Sequence, residues 1–159
     1  MLLEQLINIT IQYYLQSRIA FFAKQELGIK FKTVTNAGLA HLHDARIAAK
    51  STVDYYGLYQ GRYISFEAKS TELAHLPLGN IRPHQHAHLL LVHELGGWAF
   101  YLVFFKKFGR FFLLEAHQLP ATGQKTISLS EMEQLAIEIK LVFPGIIDFL
   151  AYYPACSTR

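Results

Sequence analysis

Apolar residues at helical spacing open the chain. Leu2, Leu6, Ile9 and Tyr13 recur on one stripe, with Leu3, Ile7 and Tyr14 beside them, and predict a helix over residues 2–16. Ile19–Ala23 and Ile29–Val34 read as strands. In the second, Ile29, Phe31 and Thr33 alternate with Lys30, Lys32 and Val34. Residues 35–50 show no clear period and look like an excursion from the core. Asp54-Tyr55-Tyr56-Gly57 and Gln60-Gly61 punctuate a turn before a strand of about residues 62–70. A helix runs from Pro83, suited to a first helical position, to about Leu95, where Gly96-Gly97 ends it. Trp98–Phe105 and Arg110–Glu115 form a hairpin around Lys106–Gly109. Ser130-Glu131-Met132-Glu133 reads as a capping box that opens a last helix to about Lys140. This order of elements means a mixed α/β or an α+β fold.

At 159 residues, 52% of them hydrophobic and 17% charged, the chain suits one domain with a real core and is too apolar for intrinsic disorder. No repeat or linker-like stretch divides it. The longest apolar run, Trp98–Phe105, is far short of the roughly 20 residues of a spanning helix. Met-Leu-Leu-Glu lacks the basic start of a signal peptide, so the expectation is a soluble, cytoplasmic chain with no membrane partner. A single cysteine, Cys156, excludes an internal disulfide framework and a multi-cysteine zinc site.

The formal charge of +3 is unevenly spread. Residues 1–70 carry eight basic and five acidic side chains, whereas residues 71–159 carry seven of each. That tilts the first part toward a polyanion. His84 and His88 share a helix face, but no Glu stands between them as in the zinc-protease pattern, and an ordinary His-rich face is the better reading. Most of the 12 Phe and nine Tyr belong to a core or an interface. Tyr55 and Tyr56, beside Asp54, are the candidates for stacking on bases. No phosphate-cradling glycine loop or nucleophile elbow is present, which argues against an NTPase or a serine hydrolase.

Chemistry concentrates in residues 51–70. Alternation along the predicted strand puts Tyr63, Ser65, Glu67 and Lys69 on one face, and Asp54 can return beside them on the adjacent strand. Two carboxylates suit Mg²⁺, and a lysine beside them can orient a water or neutralise charge on a phosphate. Spacing alone favours a plainer reading, a surface Glu–Lys pair with an unrelated turn Asp.

The surrounding residues change that balance. Ser51-Thr52-Val53-Asp54-Tyr55-Tyr56-Gly57, leading into Phe66-Glu67-Ala68-Lys69, closely resembles the core motif of the RecU-type Holliday-junction resolvases, nucleases of the PD-(D/E)xK superfamily. The likeness continues through Leu76-Pro77-Leu78-Gly79-Asn80-Ile81 and Pro83-His84-Gln85. It reaches back to Leu3-Glu4-Gln5-Leu6-Ile7-Asn8 and, more weakly, forward to Asp148-Phe149. It implies a restriction-endonuclease-like central mixed sheet flanked by helices. It also implies a homodimer and Mg²⁺-dependent symmetric nicking of four-way DNA junctions in recombination and repair, with Mn²⁺ as a substitute metal. A recombinase or a branch-migration helicase would be a candidate protein partner.

Carried over, Asp54 and Glu67 match the metal-binding carboxylates and Lys69 the catalytic lysine, with Thr52 beside the site. Glu4 falls where related nucleases supply another acid for the metal, and equally where a helix dipole favours an acid. Gln85 would touch phosphate or water, its alternative being a solvated first-turn residue. Residues 35–50 align with the stalk that enters the junction, with Arg46-Ile47 where the family carries Tyr-Phe; Arg46 would add a phosphate contact. The family's basic N-terminal extension has no counterpart here, which would remove phosphate contacts. Lys24, Lys30, Lys32 and Lys50 are candidate backbone contacts, or lysines that guard a strand edge. Arg62 and Arg82 flank the site and are comparable candidates. The rival readings are another structure-selective nuclease on the same fold and a non-catalytic junction binder or recombinase modulator.

Overall fold

The computed structural model describes residues 2–26, 28–30, 33–37, 39–43, 46–49, 53–120 and 123–154, with only the backbone described between 28 and 49. Thr52, Lys32, Lys50 and Cys156 lie outside the described residues. The elements are α1 (Leu2–Gln16), β1 (Phe21–Lys24), β2 (Gly28–Lys30), β3 (Thr33–Ala37), β4 (Leu39–His43), β5 (Arg46–Ala49), β6 (Tyr55–Tyr59), β7 (Arg62–Thr71), β8 (His75–Pro77), α2 (Pro83–Glu94), β9 (Trp98–Phe105), β10 (Arg110–Glu115), β11 (Thr126–Ser128), α3 (Leu129–Leu135) and β12 (Ile137–Ile139).

Six strands form the central sheet in the order β1-β6-β7-β9-β10-β12, antiparallel except for the parallel β7–β9 pair. A parallel pair needs a crossover, and α2 supplies it. Every residue of β9 is buried because both faces of the sheet are covered. Trp98, Phe100, Leu102 and Phe104 share one cluster with Leu3, Leu6, Ile7, Ile11 and Tyr14 of α1 and Phe66 of β7. The alternate residues Ala99, Tyr101, Val103 and Phe105 share a second cluster with Leu89 and Val92 of α2 and Met132 of α3. The unbroken apolar run is thus a strand serving two cores. Phe100, Phe104 and Phe111 are core residues of the α1 side.

The C-terminal segment is tied to α1 by polar groups. Thr10 donates to the Leu6 carbonyl (2.8 Å) and accepts from the Ile147 N–H (3.0 Å). The Tyr14 hydroxyl donates to Asp148 Oδ1 (2.6 Å) and accepts from the Leu150 N–H (3.3 Å).

Several sequence expectations need correcting. Residues 55–59 are a strand, not part of a turn. Gly57 fits there because an added Cβ would stand 2.2 Å from the Phe21 carbonyl oxygen of β1. The expected strand 29–34 is divided between β2 and β3, and the aperiodic 35–50 contains β4 and β5. These pair antiparallel as β3–β4, nested in sequence within β2–β5. A two-stranded ribbon need not bury one face, so nothing forces its sequence to alternate. Finally, the capping box is Ser128 with Glu131, not Ser130 with Glu133, and α3 stops at Leu135. Ile137–Ile139 leaves the helix to pair with β10. Among the described residues no helix is long and apolar enough to cross a membrane.

Candidate active site

A two-residue turn sets the register of the site. Gln60 and Gly61 take positive φ (48° and 76°) and connect Tyr59 to Arg62, which pair directly. Two left-handed residues match the twist of a tight hairpin. Tyr55 then opposes Phe66, and Asp54 arrives level with Glu67 on the opposite face of the sheet from Phe66. Two hydrogen bonds lock that relation. The Asp54 N–H donates to Glu67 Oε2 (2.9 Å), and the Ala68 N–H donates to Asp54 Oδ2 (3.2 Å).

Lys69, next on the same face of β7, donates to Glu67 Oε1 (2.8 Å) and stands 3.4 Å from Gln85 Oε1. Gln85 lies in the first turn of α2 yet is 4% exposed, so it is a buried partner of the lysine and not a solvated residue. Glu67 is 1% exposed. Burial raises its pKa; the Lys69 hydrogen bond opposes the rise and the Asp54 charge adds to it. An acid held this deep beside a second carboxylate gains from a nearby cation, and Lys69 supplies one positive charge against two negative ones.

A divalent metal fits the same donors. Hard oxygen ligands are what Mg²⁺ takes, usually one or two carboxylates with several waters. No group of three His, Cys, Asp or Glu side chains that could hold a metal occurs among the described residues. Glu4 is therefore not gathered with Asp54 and Glu67. It pairs with Lys24 (2.8 Å), which lowers its pKa, and the Lys24 ammonium stands 6.0 Å from the Tyr55 ring centre. Lys24 opposes Tyr55 in the β1–β6 ladder, so this group belongs to the α1 side of the sheet.

The remaining candidates are scattered. The Arg62 guanidinium donates to the carbonyls of Gly96 (2.7 Å) and Gly97 (3.0 Å) and lies over the Tyr153 ring, holding the β6–β7 turn against the start of β9. Arg82 is exposed at the N-terminus of α2. Lys30 and Arg46 are direct cross-strand partners of β2 and β5. Tyr55 is fully buried and stacks on Phe66, which leaves Tyr56 alone of the two beside solvent.

Sequence reasoning missed one feature. Tyr101 lies beside Glu67 in the β7–β9 ladder and bonds His86 Nδ1 (2.9 Å), so a Tyr–His pair backs the carboxylate from α2. Inside an apolar run, Tyr101 gives no signal until the parallel register is known.

The sheet, mixed in strand direction and covered by helices on both faces, thus carries a carboxylate pair and a lysine on its central strands. The structure is similar to a 1.6 Å structure of Hjc, a Holliday junction resolvase of Archaeoglobus fulgidus. The TM-score is 0.52 at 12% identity, covering 85% of this chain and 94% of that one, a likeness of fold alone. The profile of the family described as Recombination protein U matches residues 1–154, and the chain belongs to this RecU family. Its relatives include proteins named Holliday junction resolvase RecU. That of Mycoplasmopsis pulmonis is 38% identical over 152 residues (96% of this chain, 91% of the relative). That of Ureaplasma parvum is 35% identical over 151 residues (92% and 86%).

Proposed function

We propose that this chain is a Holliday junction resolvase, a metal-dependent endonuclease that nicks four-way DNA junctions. The supporting observation is the buried Glu67 carboxylate, bonded by Lys69 on one oxygen and by the Asp54 N–H on the other, in a chain of the RecU family. Asp54 and Glu67 would hold Mg²⁺, with Mn²⁺ able to replace it. When bound, the metal polarises a phosphoryl oxygen and acidifies a coordinated water.

The chain's own groups do the rest. Lys69 carries a fixed positive charge at the edge of a buried carboxylate, where it can orient the attacking water or neutralise charge that grows on the phosphate. Gln85, 3.4 Å from the ammonium, limits where that charge can swing. The Asp54 and Ala68 N–H groups hold the carboxylates in place before substrate arrives, so little reorganisation remains for the chemical step. Thr52, Glu4 and the basic residues Lys24, Lys30, Lys32, Arg46, Lys50, Arg62 and Arg82 stay as candidates for contacts around this centre.

We read the chain as one nuclease domain acting in the cytoplasm, with residues of about 35–50 as a stalk. Two copies related by a two-fold axis would give two sites matched to the pseudo-symmetry of a junction. The test is cleavage of an immobile four-way junction by Asp54→Asn and Glu67→Gln. Loss of nicking with retained junction binding supports the assignment, and nicking at the wild-type rate refutes it.

A further inference from the structure

Leu141-Val142-Phe143-Pro144 is a run of four exposed apolar residues in a turn, where polar residues are the rule. Phe143 is 94% exposed. The turn that carries it is nevertheless held firmly. Val142 and Ile146 exchange two backbone hydrogen bonds of 2.8 Å each, and the Gly145 N–H also donates to the Val142 carbonyl (2.8 Å). Gly145 takes a positive φ of 119°, which closes the turn. The next residue but one, Ile147, is anchored on α1 through its N–H bond to the Thr10 hydroxyl (3.0 Å). A phenyl ring is thus presented to solvent on a fixed support.

Beside this ring lies an open groove of about 420 Å³ between α1 and the turn. Ile9, Tyr13, Pro144 and Ile146 line it, together with three uncharged polar residues of α1. The outer face of α1 is unusual for a helix at a protein surface. Between Glu4 and the end of α1 no exposed residue is charged, and Ile9, Tyr13 and Leu15 are about half exposed. A solvated helix face ordinarily carries charge, whereas the centre of a protein–protein interface is depleted of it and rich in aromatic residues. The exposed parts of Ile9, Tyr13, Leu141, Val142 and Phe143 amount to roughly 500 Å², and in two copies to roughly 1,000 Å² before their polar rims are added. A stable interface buries about 1,200 Å² or more in total, so with those rims a second copy brings enough surface.

We propose that this face is where two copies of the chain meet, which rests on the two-copy reading above and deepens it by naming the surface. Ring and groove lie side by side on one molecule. A two-fold axis between them lets each Phe143 enter the other copy's groove beside Ile9 and Tyr13. Such a contact uses the ring and the groove twice and closes, leaving neither ring in water. Glu67 and Lys69 lie on the sheet face opposite Phe66 and α1, so this pairing leaves both active sites uncovered.

The test is sedimentation equilibrium of the full chain over about 1 to 100 µM, with wild type, Phe143→Asp and Ile9→Glu. Wild type should have twice the mass of one chain. Phe143→Asp should weaken association by about 100-fold or more, because two-fold symmetry places each substitution in the interface twice. Phe143 is too exposed to support the fold, so this variant should keep the wild-type urea midpoint and its loss of association belongs to the surface. A wild type that is monomeric throughout overturns the proposal, whether the face stays bare or takes a different protein. A Phe143→Asp or Ile9→Glu variant that associates as the wild type does also overturns it, since the contact then lies elsewhere. Junction nicking is scored separately. Monomers that nick in Mg²⁺ refute the interface alone, and a paired wild type that nicks no junction refutes the nuclease reading alone.

Discussion

The Lys69 ammonium stands 2.8 Å from one carboxylate oxygen of Glu67, two residues away on the same face of β7, and the Asp54 N–H stands 2.9 Å from the other oxygen. A buried carboxylate is costly unless charges and donors surround it. Here one lysine and one backbone group do so, and they also fix the geometry in which two acids share a site. Removing the lysine therefore affects folding and chemistry together. Lys69→Met should lose nicking activity by about 100-fold or more and lower unfolding free energy by about 2 kcal/mol, because Glu67 is left buried without its cation. Junction cleavage and urea denaturation measure the two effects separately.

Metal binding has a readout apart from turnover. A cation that binds the folded site alone raises stability by mass action. Wild-type protein should melt at higher temperature as Mg²⁺ or Mn²⁺ is added, and Glu67→Gln should melt at the same temperature with and without metal. A metal-dependent shift that survives in Glu67→Gln would place the ion elsewhere.

Gly57 is where the edge strand β1 packs most closely on β6. An added Cβ would meet the Phe21 carbonyl oxygen at 2.2 Å and the Phe22 ring at 2.3 Å. Gly57→Ala must push β1 away from β6 and with it the Gln25 N–H that bonds the Asp54 carbonyl. Destabilisation of about 2 kcal/mol or more is expected in urea denaturation.

Asp148 and Tyr14 join the two ends of the chain. Asp148→Ala leaves a buried phenol without its acceptor and should cost about 1–3 kcal/mol. Tyr14→Phe removes the same bond and also leaves the buried Leu150 N–H without its acceptor, so it should cost at least as much. Wild-type stability in both variants would show that the contact contributes little.

Stability should also fall on mild acidification through the α2 histidines. Burial lowers the pKa of His86 and His88, and His88 Nε2 is buried with no hydrogen-bond partner among the described residues. A base whose folded pKa lies below its unfolded value binds protons more readily when unfolded. Its stabilising effect is therefore full above the usual histidine value of about 6.5 and is lost as pH falls toward the folded pKa. His88→Leu should lose less stability than wild type between about pH 7.5 and about pH 5.5, measured by denaturant titration at each pH.

Much of this arrangement is legible in the sequence because it rests on local rules. Alternation along β7 places Glu67 with Lys69, and the Gln60-Gly61 turn places Asp54 beside them. The helix at residues 2–16 shows in its stripe, and Pro83 marks the start of α2. What the sequence hides depends on partners distant in the chain. Nothing near Gln85 says that it is buried against Lys69, and nothing near Tyr101 says that it faces Glu67. Tyr55 and Tyr56 look alike as neighbours, but strand alternation sends one into the α1 core and the other to the opposite face. Arg62 reads as a free cation until Gly96 and Gly97 are seen beneath it.

The most direct test of the central claim is gel-resolved cleavage of a labelled, immobile four-way junction beside a linear duplex of matched sequence, each with Mg²⁺ or with EDTA. Paired symmetric nicks on the junction alone, present with Mg²⁺ and absent with EDTA, are the predicted result. Binding of the junction with no nick in either Mg²⁺ or Mn²⁺, or equal cutting of the duplex, would contradict it.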